Sequence, residues 1–249
     1  LVCESRHCFD VARKGYVNLA PGRAPDAHYT RPLFDSRRRV LESGAYAPVV
    51  EALSRLAAQY APDDALLVDA GCGEGFYAKA LAAQFRRVVA FDLARDAVYL
   101  AASGPKDERA RRVAFLVADL TRIPVQDGAA SVLLDVFTPA HYAEFARVLK
   151  PGGVLIKALP GPGYLREIRA LAGQRDYRND DVLRRLDETG GERFLPLARE
   201  TLCYTFPLPE PLRADAVRMT PLTHAHAASP DALTEITIEM EIAVLGKRE

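Results

Sequence analysis

The stretch Leu66-Leu67-Val68-Asp69-Ala70-Gly71-Cys72-Gly73-Glu74-Gly75-Phe76-Tyr77 constrains the fold of this chain more than any other. Ala65 to Val68 is an apolar run of the kind that forms a strand buried on both faces of a parallel sheet. Glycines follow at alternate positions, Gly71, Gly73 and Gly75. Phe76 to Phe85 then reads as a helix with Phe76, Ala80 and Leu81 along one side. Strand, glycine turn and helix start are the first unit of a doubly wound α/β fold, which binds nucleotide-like ligands beyond the carboxyl ends of its strands. Glycine accepts positive φ, and a β-carbon at such a turn would block close approach of a ligand. The first N–H groups of the helix are available to an anionic group such as a carboxylate.

The spacing narrows the ligand. A dinucleotide fingerprint, G-x-G-x-x-G, would need glycine where Phe76 stands. The pattern is instead D-x-G-x-G-x-G, with Asp69 at the strand end. A second strand, Val88-Val89-Ala90-Phe91-Asp92, ends in an acid about 20 residues further on, where a carboxylate binds ribose hydroxyls. A tight βα turn that binds nothing uses similar glycines, but it has no need of both acids. Together these residues resemble motif I of the class I S-adenosylmethionine-dependent methyltransferases. The resemblance implies that the turn wraps the methionine part of the cofactor and that Asp92-Leu93 holds the ribose. It also implies that Asp119-Leu120, closing the third strand Val113–Asp119, contacts the adenine.

Size and charge fit one large domain with a small appendage. The chain has 249 residues, 49% of them hydrophobic, enough for a real core. No apolar run approaches a membrane span and no signal-peptide pattern occurs, so no membrane partner is expected. Cysteines 3, 8, 72 and 203 are too scattered for a disulfide framework, which points to a reducing cytoplasm. The sequence begins at Leu1 in mid-pattern, so residues before it are expected. Lys+Arg and Asp+Glu balance at 33 each, against a surface that coats polyanions broadly. Residues 1–60 hold nine basic and six acidic side chains, a mild bias toward an anionic partner that a solvated face explains nearly as well.

Residues 1–30 do not read as part of the sheet. Cys3-x-x-x-His7 is a spacing usable in a tetrahedral zinc site, but it supplies two ligands of four. Cys8 is adjacent to His7, and neighbouring side chains seldom converge on one metal. The longer text Cys3-x-x-x-His7-Cys8-Phe9-Asp10, then Gly15-Tyr16-Val17-Asn18-Leu19, is similar to the N-terminal module of the 23S ribosomal RNA guanine-N1-methyltransferases. That family includes enzymes conferring resistance to tylosin-type macrolides. Its members place a C-x-x-C pair before the C-x-x-x-H pair. The resemblance implies zinc at Cys3 and His7 only where an upstream pair completes the site, and it implies a role for the module in RNA recognition.

The likeness extends along the chain. Arg37-Arg38-Arg39 through Gly44-Ala45-Tyr46 matches the segment before the catalytic domain, and reads as a helix ending at Gly44. A second helix runs from Pro48 to Gln59 with Val49, Leu53 and Leu56 as its core stripe. Three successive arginines point in different directions, so at least one is expected to be solvated and idle. Arg37 and Arg38 are candidates for a cofactor carboxylate or an RNA phosphate. Ala94–Ala102 is the next helix. The fourth strand and its exit loop, Ala130 to Pro139, bring Asp135, Val136, Phe137 and Pro139 to the edge where the transferable methyl should lie. Asp135 is a candidate proton acceptor or orienter, and Phe137 is a candidate to stack on a flipped base or else core filler. His141–Leu149 is a helix, Lys150-Pro151-Gly152-Gly153 a turn, and Val154–Leu159 the fifth strand. Pro160-Gly161-Pro162-Gly163-Tyr164-Leu165-Arg166-Glu167 matches the family's P-G-P loop. The arginines that follow, to Arg185, are diluted by acids and read best as a solvated surface. Arg199–Phe206 and Thr234–Val244 form a closing antiparallel hairpin, the second with clear alternation. Met219-Thr220-Pro221 between them matches the family's M-T-P.

The expected architecture is therefore a remnant zinc-ribbon-like module at 1–30, a helical linker at 31–62, and a class I methyltransferase domain at 63–249. Candidate cofactor residues are Asp69, Gly71, Cys72, Gly73, Gly75, Tyr77, Asp92, Leu93, Asp119, Leu120, Asp135 and Val136, with Arg37 and Tyr46 from the linker. The implied reaction is methyl transfer to N1 of a guanine in a 23S rRNA hairpin. A small-molecule methyltransferase, or an RNA-binding protein that keeps the fold without catalysis, are the alternatives. A homodimer is an open expectation.

Overall fold

Apolar strands separated by helices assemble into one eight-stranded sheet in this computed structural model, which describes residues 1–2, 4, 6–23, 27–61, 65–104, 107–173, 186, 188, 191–221 and 229–248. The strands are β1 (Val17–Asn18), β2 (Leu66–Ala70), β3 (Arg87–Asp92), β4 (Val113–Val117), β5 (Ala130–Val136), β6 (Leu149–Pro160), β7 (Phe194–Pro207) and β8 (Glu235–Lys247). Their order is β1-β4-β3-β2-β5-β6-β8-β7. Every pairing from β1 to β6 is parallel, and β8 runs antiparallel to both β6 and β7. β2 and β5 meet at the centre, and all seven residues of β5 are buried. A strand covered on both faces needs a continuous apolar run, which Val132-Leu133-Leu134 supplies.

Helices lie on both faces. One core packs α2 (Ala47–Tyr60) and α3 (Phe76–Leu81) with α4 (Arg95–Ala102), through Val49, Leu53, Leu56, Ala78, Leu81 and Val98. The other packs α6 (Tyr142–Val148) through Tyr142, Phe145 and Val148. The remaining described α-helices are α1 (Arg31–Val40), α5 (Glu108–Arg111), α7 (Arg166–Leu171) and α8 (Glu210–Arg218).

The structure departs from the sequence reading in places. Residues 1–30 do contribute to the sheet: Val17 and Asn18 pair with Leu116 and Val117 at its edge. The helix before Gly44 ends at Val40, and a wider turn, Leu41–Ala45, carries the chain through Gly44 at φ 94° into α2. The helix after the glycine turn stops at Leu81 and tightens into a 3₁₀ turn, Ala82–Gln84. The fifth expected strand is twice as long as its apolar stretch, since it begins at Leu149 and includes the Pro151-Gly152-Gly153 bend.

The three arginines of α1 divide their work. Arg39 donates to both oxygens of Asp215 on α8, Nε at 2.6 Å and Nη2 at 2.5 Å, and Ser36 Oγ donates to Oδ1 at 2.9 Å. Arg38 pairs with Glu42 one turn on, at 3.3 Å. Arg37 turns toward Gly73, its Nη1 the nearest group to the face where a β-carbon would stand. The expectation of an idle arginine thus fails at Arg39, which ties α1 to the segment leading into Met219-Thr220.

Candidate active site

The glycine turn leaves β2 and folds back over β3: Gly71 and Cys72 both donate to the carbonyl of Phe91. Gly71, Gly73 and Gly75 have φ of 75°, 53° and 75°, the left-handed region that side chains avoid. Only part of the expected reason for glycine holds. A β-carbon on Gly71 would run into the side chain of Thr138, at 2.2 to 2.8 Å, and one on Gly75 would meet Phe115 and Ala101 at 2.8 and 2.9 Å. At those two positions glycine serves packing within the protein. Gly73 alone faces open space, bounded by Arg37 at 3.8 Å.

Acids surround this turn. Asp69 is buried, with its Oδ2 left without a partner. Burial, then the neighbouring Asp92, pushes its pKa up to about 8. Glu74 is also buried with Oε2 unpartnered, and desolvation raises it while Arg37 opposes the rise. Asp92 accepts from Gly73 N–H at 2.9 Å and from Ala94 N–H at 2.8 Å, which fixes the turn against the end of β3. Leu93 is half-buried beside it, and the buried Cys72 thiol is pushed upward by desolvation.

Unsatisfied buried carboxylate oxygens are uncommon and expensive. Here they lie beside a left-handed backbone turn with open space above Gly73. A ligand with an ammonium group would meet those carboxylates, and Arg37 would meet its carboxylate. The residues present therefore fit the S-adenosylmethionine that the resemblance implies.

The adenine-side acid is differently occupied. Asp119 accepts from Thr121 N–H and Oγ1, each at 2.7 Å, and forms an ion pair with Arg23 of the N-terminal segment. Leu120 packs partly buried on the second core. Arg23 was not singled out in the sequence.

On the other side of the turn lies the exit loop of β5. Asp135 is fully buried, and Lys157 of β6 donates to its Oδ2 at 2.7 Å. Lys157 also donates to Thr138 O at 3.1 Å, and Thr138 N–H donates to Asp135 Oδ1 at 3.3 Å. Burial lifts the Asp135 pKa to about 6 against the pull of Lys157. The sequence marks Asp135 as a proton acceptor or an orienter; the structure buries its carboxylate, held by Lys157 and by the Thr138 N–H of the exit loop. Thr138 Oγ1 reaches Gly71 O at 3.4 Å, joining the loop to the glycine turn. Val136 is buried and Pro139 exposed.

Phe137 takes φ 57° and is 37% exposed, so it is not core filler. Its ring lies 4.8 Å from that of Tyr164 in the P-G-P loop. β8 holds that loop: Gly161 N–H donates to Glu239 O at 2.8 Å and Gly163 N–H to Glu239 Oε2 at 2.9 Å. Tyr164 shares a 2.7 Å hydrogen bond with buried Tyr46, and Tyr204 donates to Ala45 O at 2.8 Å. Tyr77 stands within electrostatic reach of Asp69, Glu74, Tyr164 and Tyr204. A wall of phenols thus runs from the glycine turn to Phe137.

Of the missed residues, Lys157 had a visible sign, a lone lysine inside an apolar central strand. Tyr164 and Thr138 had none beyond their loops. Cys3 lies outside the described residues, as do Arg175, Arg178, Arg184 and Arg185. His7 is exposed. No group of three or more metal-ligating side chains occurs among the described residues, so they do not by themselves make a zinc site.

Comparison with known proteins places this geometry. The methyltransferase-domain family matches residues 67–153, and the family described as RlmA, N-terminal, matches residues 1–24. The 23S rRNA (guanine(748)-N(1))-methyltransferase of Streptomyces fradiae is 34% identical over 228 residues, 89% of this chain and 79% of that protein. The chain belongs to the 23S rRNA (guanine-N1)-methyltransferase family. A Bacillus subtilis protein assigned to this family by name is 33% identical over 198 residues, 74% of this chain and 68% of its own. The YcgJ protein of Bacillus subtilis shares the fold, with a TM-score of 0.59 at 14% identity, covering 80% of this chain and 98% of that one. As a member of the family, the chain is an S-adenosylmethionine-dependent methyltransferase with a Rossmann-like sheet and a zinc-ribbon-type N-terminal module. No helix among the described residues is long and apolar enough to cross a membrane.

Proposed function

We propose that this enzyme methylates N1 of a guanine in a hairpin of 23S rRNA. The observation that carries the acceptor is the match of residues 1–24 to the RlmA N-terminal family, a segment continued into the sheet by β1 beside β4, two residues before Asp119. That module weighs against a small-molecule acceptor. We extend the reading to a cytoplasmic location, where ribosomal RNA is found, and to protection against tylosin-type macrolides. The latter is measured as the inhibitory concentration in a host with and without the gene.

When bound, S-adenosylmethionine supplies a methyl already activated by its sulfonium. The protein's task is alignment. Asp69, Glu74 and Arg37 would hold the amino-acid end over Gly73, and Asp92 with Asp119 the nucleoside end. Asp135 and Lys157 fix the exit loop so that Phe137 stands at the mouth. Guanine N1 carries a proton and lies on the pairing edge, so the base has to be presented unpaired. With Asp135 sealed below the loop, the N1 proton leaves to water.

The test is methylation of a 23S rRNA hairpin transcript with labelled cofactor, followed by mapping of the modified nucleotide. N1-methylguanine in the hairpin supports the reading. Transfer to small acceptors with none to RNA overturns it.

A further inference from the structure

Tyr99 stands half-buried on the second turn of α4, and cations from other segments converge on its ring. Lys14 Nζ, from the N-terminal segment, lies 5.8 Å from the ring centroid. The Arg31 guanidinium, from α1, lies at 5.1 Å. Arg95 precedes Tyr99 by one turn of α4, a spacing that puts two side chains on one face. Its Nε donates to the hydroxyl of Tyr16, close in sequence to Lys14, at 3.3 Å. Three chain segments thus bring three positive charges around one ring.

A cation–ring contact at an exposed site is weak, so it does not by itself account for gathering like charges. Two of the cations also stand where a helix disfavours them. Arg31 and Arg95 are the first residues of α1 and α4, at the positive end of the helix dipole. Two acids neighbour them. Asp35 is 3.7 Å from Arg31, beyond hydrogen-bonding distance, and Asp96 follows Arg95 in sequence. The Arg31 side chain is 53% exposed and Arg95 is exposed, so both can meet a solute. Among the described residues Arg95 commits one of its five N–H donors, the one on Tyr16. An anion rich in acceptor oxygens, such as a phosphodiester, relieves the repulsion and uses the remaining donors.

Placement says which phosphodiester. Lys14 belongs to the segment matched to the RlmA N-terminal family, and that segment enters the sheet through β1. From Arg31, α1 leads to Arg37, which lies 5.1 Å from the Phe34 ring and faces Gly73 of the cofactor turn. Tyr29, 43% exposed, stacks on Phe34 at 6.2 Å. Cations interleaved with aromatic rings suit a nucleic-acid strand, with phosphate on the charges and bases against the rings.

We propose that Lys14, Arg31 and Arg95, gathered around Tyr99, clamp a backbone phosphate of the RNA hairpin on its way from the N-terminal segment to the cofactor turn. The inference rests on the rRNA reading and deepens it by naming a contact surface. The clamp fixes the position of the strand and reads no sequence, because a phosphate is the same beside every base.

The experiment measures binding of a 23S rRNA hairpin transcript across salt concentrations, with calorimetry of S-adenosylmethionine on the same proteins. Arg31→Gln combined with Arg95→Gln should weaken hairpin binding about tenfold and lower the slope of log affinity against log salt by about one, the share of one phosphate. The loss should be alike for hairpins of different loop sequence, and cofactor affinity should stay within about twofold. Arg31→Lys combined with Arg95→Lys keeps both charges and should keep most of the slope. Arg86→Gln removes an exposed cation at the amino end of β3, the opposite edge of the sheet from Arg95, and should change neither quantity. A hairpin scanned with single neutral methylphosphonate linkages locates the contact. At one linkage wild type should lose what the double glutamine variant has lost, and that variant should lose no more. Unchanged affinity and slope in the double variant overturn the proposal. So do an equal loss in Arg86→Gln, a loss confined to one loop sequence, a parallel loss of cofactor affinity, or a scan with no such linkage. A difference seen on assembled ribosomal subunits and not on the hairpin assigns the cluster to a protein partner and overturns it as well. If wild type puts no methyl on the hairpin, the rRNA reading itself has failed and takes the proposal with it. If wild type does and the double variant binds as wild type, only the proposal falls.

Discussion

Lys157 Nζ lies 2.7 Å from Asp135 Oδ2, with side-chain exposures of 2% and 0%, on adjacent strands where the two residues are direct register partners. No water relieves either charge if its partner is removed. Lys157→Met should cost about 3–5 kcal/mol, the usual penalty for stranding one member of a buried pair. Replacing both, as Asp135→Leu with Lys157→Met, should recover much of that stability. The loop over the pair should then loosen and catalysis should stay low. Urea unfolding of the three variants decides it, and a loss below about 1 kcal/mol for the single substitution refutes the assignment.

Asp69 makes a pH prediction with a definite sign. Its folded pKa of about 8 stands above the ordinary 3.8, so the folded state holds this proton longer than the unfolded state. Its contribution is most favourable below the lower value, and stability falls as pH rises from about 4 toward 8. Asp135, raised to about 6, adds the same sign over the lower half of that window. Asp69→Asn should therefore gain more stability at pH 8 than at pH 5 relative to wild type, while losing cofactor affinity. Denaturant midpoints at the two pH values, with calorimetry of the cofactor, check both halves.

Two glycines of one turn should fail differently. Gly71→Ala drives a methyl into Thr138 and should destabilise the fold by several kcal/mol, since both the clash and the left-handed φ count. Gly73→Ala meets nothing nearer than Arg37 at 3.8 Å and should cost only about 1–2 kcal/mol for its φ. Its larger effect should be on cofactor affinity. Melting and calorimetry on the pair distinguish a packing glycine from a ligand-facing one.

The clasp between α1 and α8 is open to a double-mutant cycle. Arg39 holds the Asp215 carboxyl below its ordinary pKa, so this contribution is present above the unfolded value and lost as pH falls through the lowered one. The Arg39 side chain is half exposed, so solvent screening trims the coupling to about 1 kcal/mol. Arg39→Ala and Asp215→Asn should be non-additive by that amount at pH 7 and closer to additive at pH 3.

The alternation of strands and helices was readable because burial on two faces demands apolar runs such as Val88–Phe91 and Val132–Leu134, and the glycine spacing identified the turn. What the sequence hid was pairing at a distance. Asp215 is 176 residues from Arg39, and nothing local marks it as the partner. Val17-Asn18 is too short to show a strand's period, and only its pairing with β4 makes it one. Asp135 looked catalytic because of its position at a strand end. Its neutral and charged neighbours across the sheet, which decide what a carboxylate does, came from β6. Lys157 was the available clue, since an ammonium in the middle of Val154–Leu159 requires a counterion.

The strand order carries a consequence for biosynthesis. β8, which reaches Lys247, lies inside the sheet between β6 and β7 rather than at its margin. Its Ile236, Ile238, Met240, Ile242 and Val244 are wholly buried, and through Glu239 and Thr237 it also anchors the P-G-P loop. While the chain is still emerging from the ribosome, β6 shows an unpaired edge and the loop has no anchor. The half of the sheet that carries the P-G-P loop can close only after translation has passed β8. A nascent chain arrested before that point should bind cofactor poorly and expose a sticky strand edge, which gives chaperones a defined window in which to act.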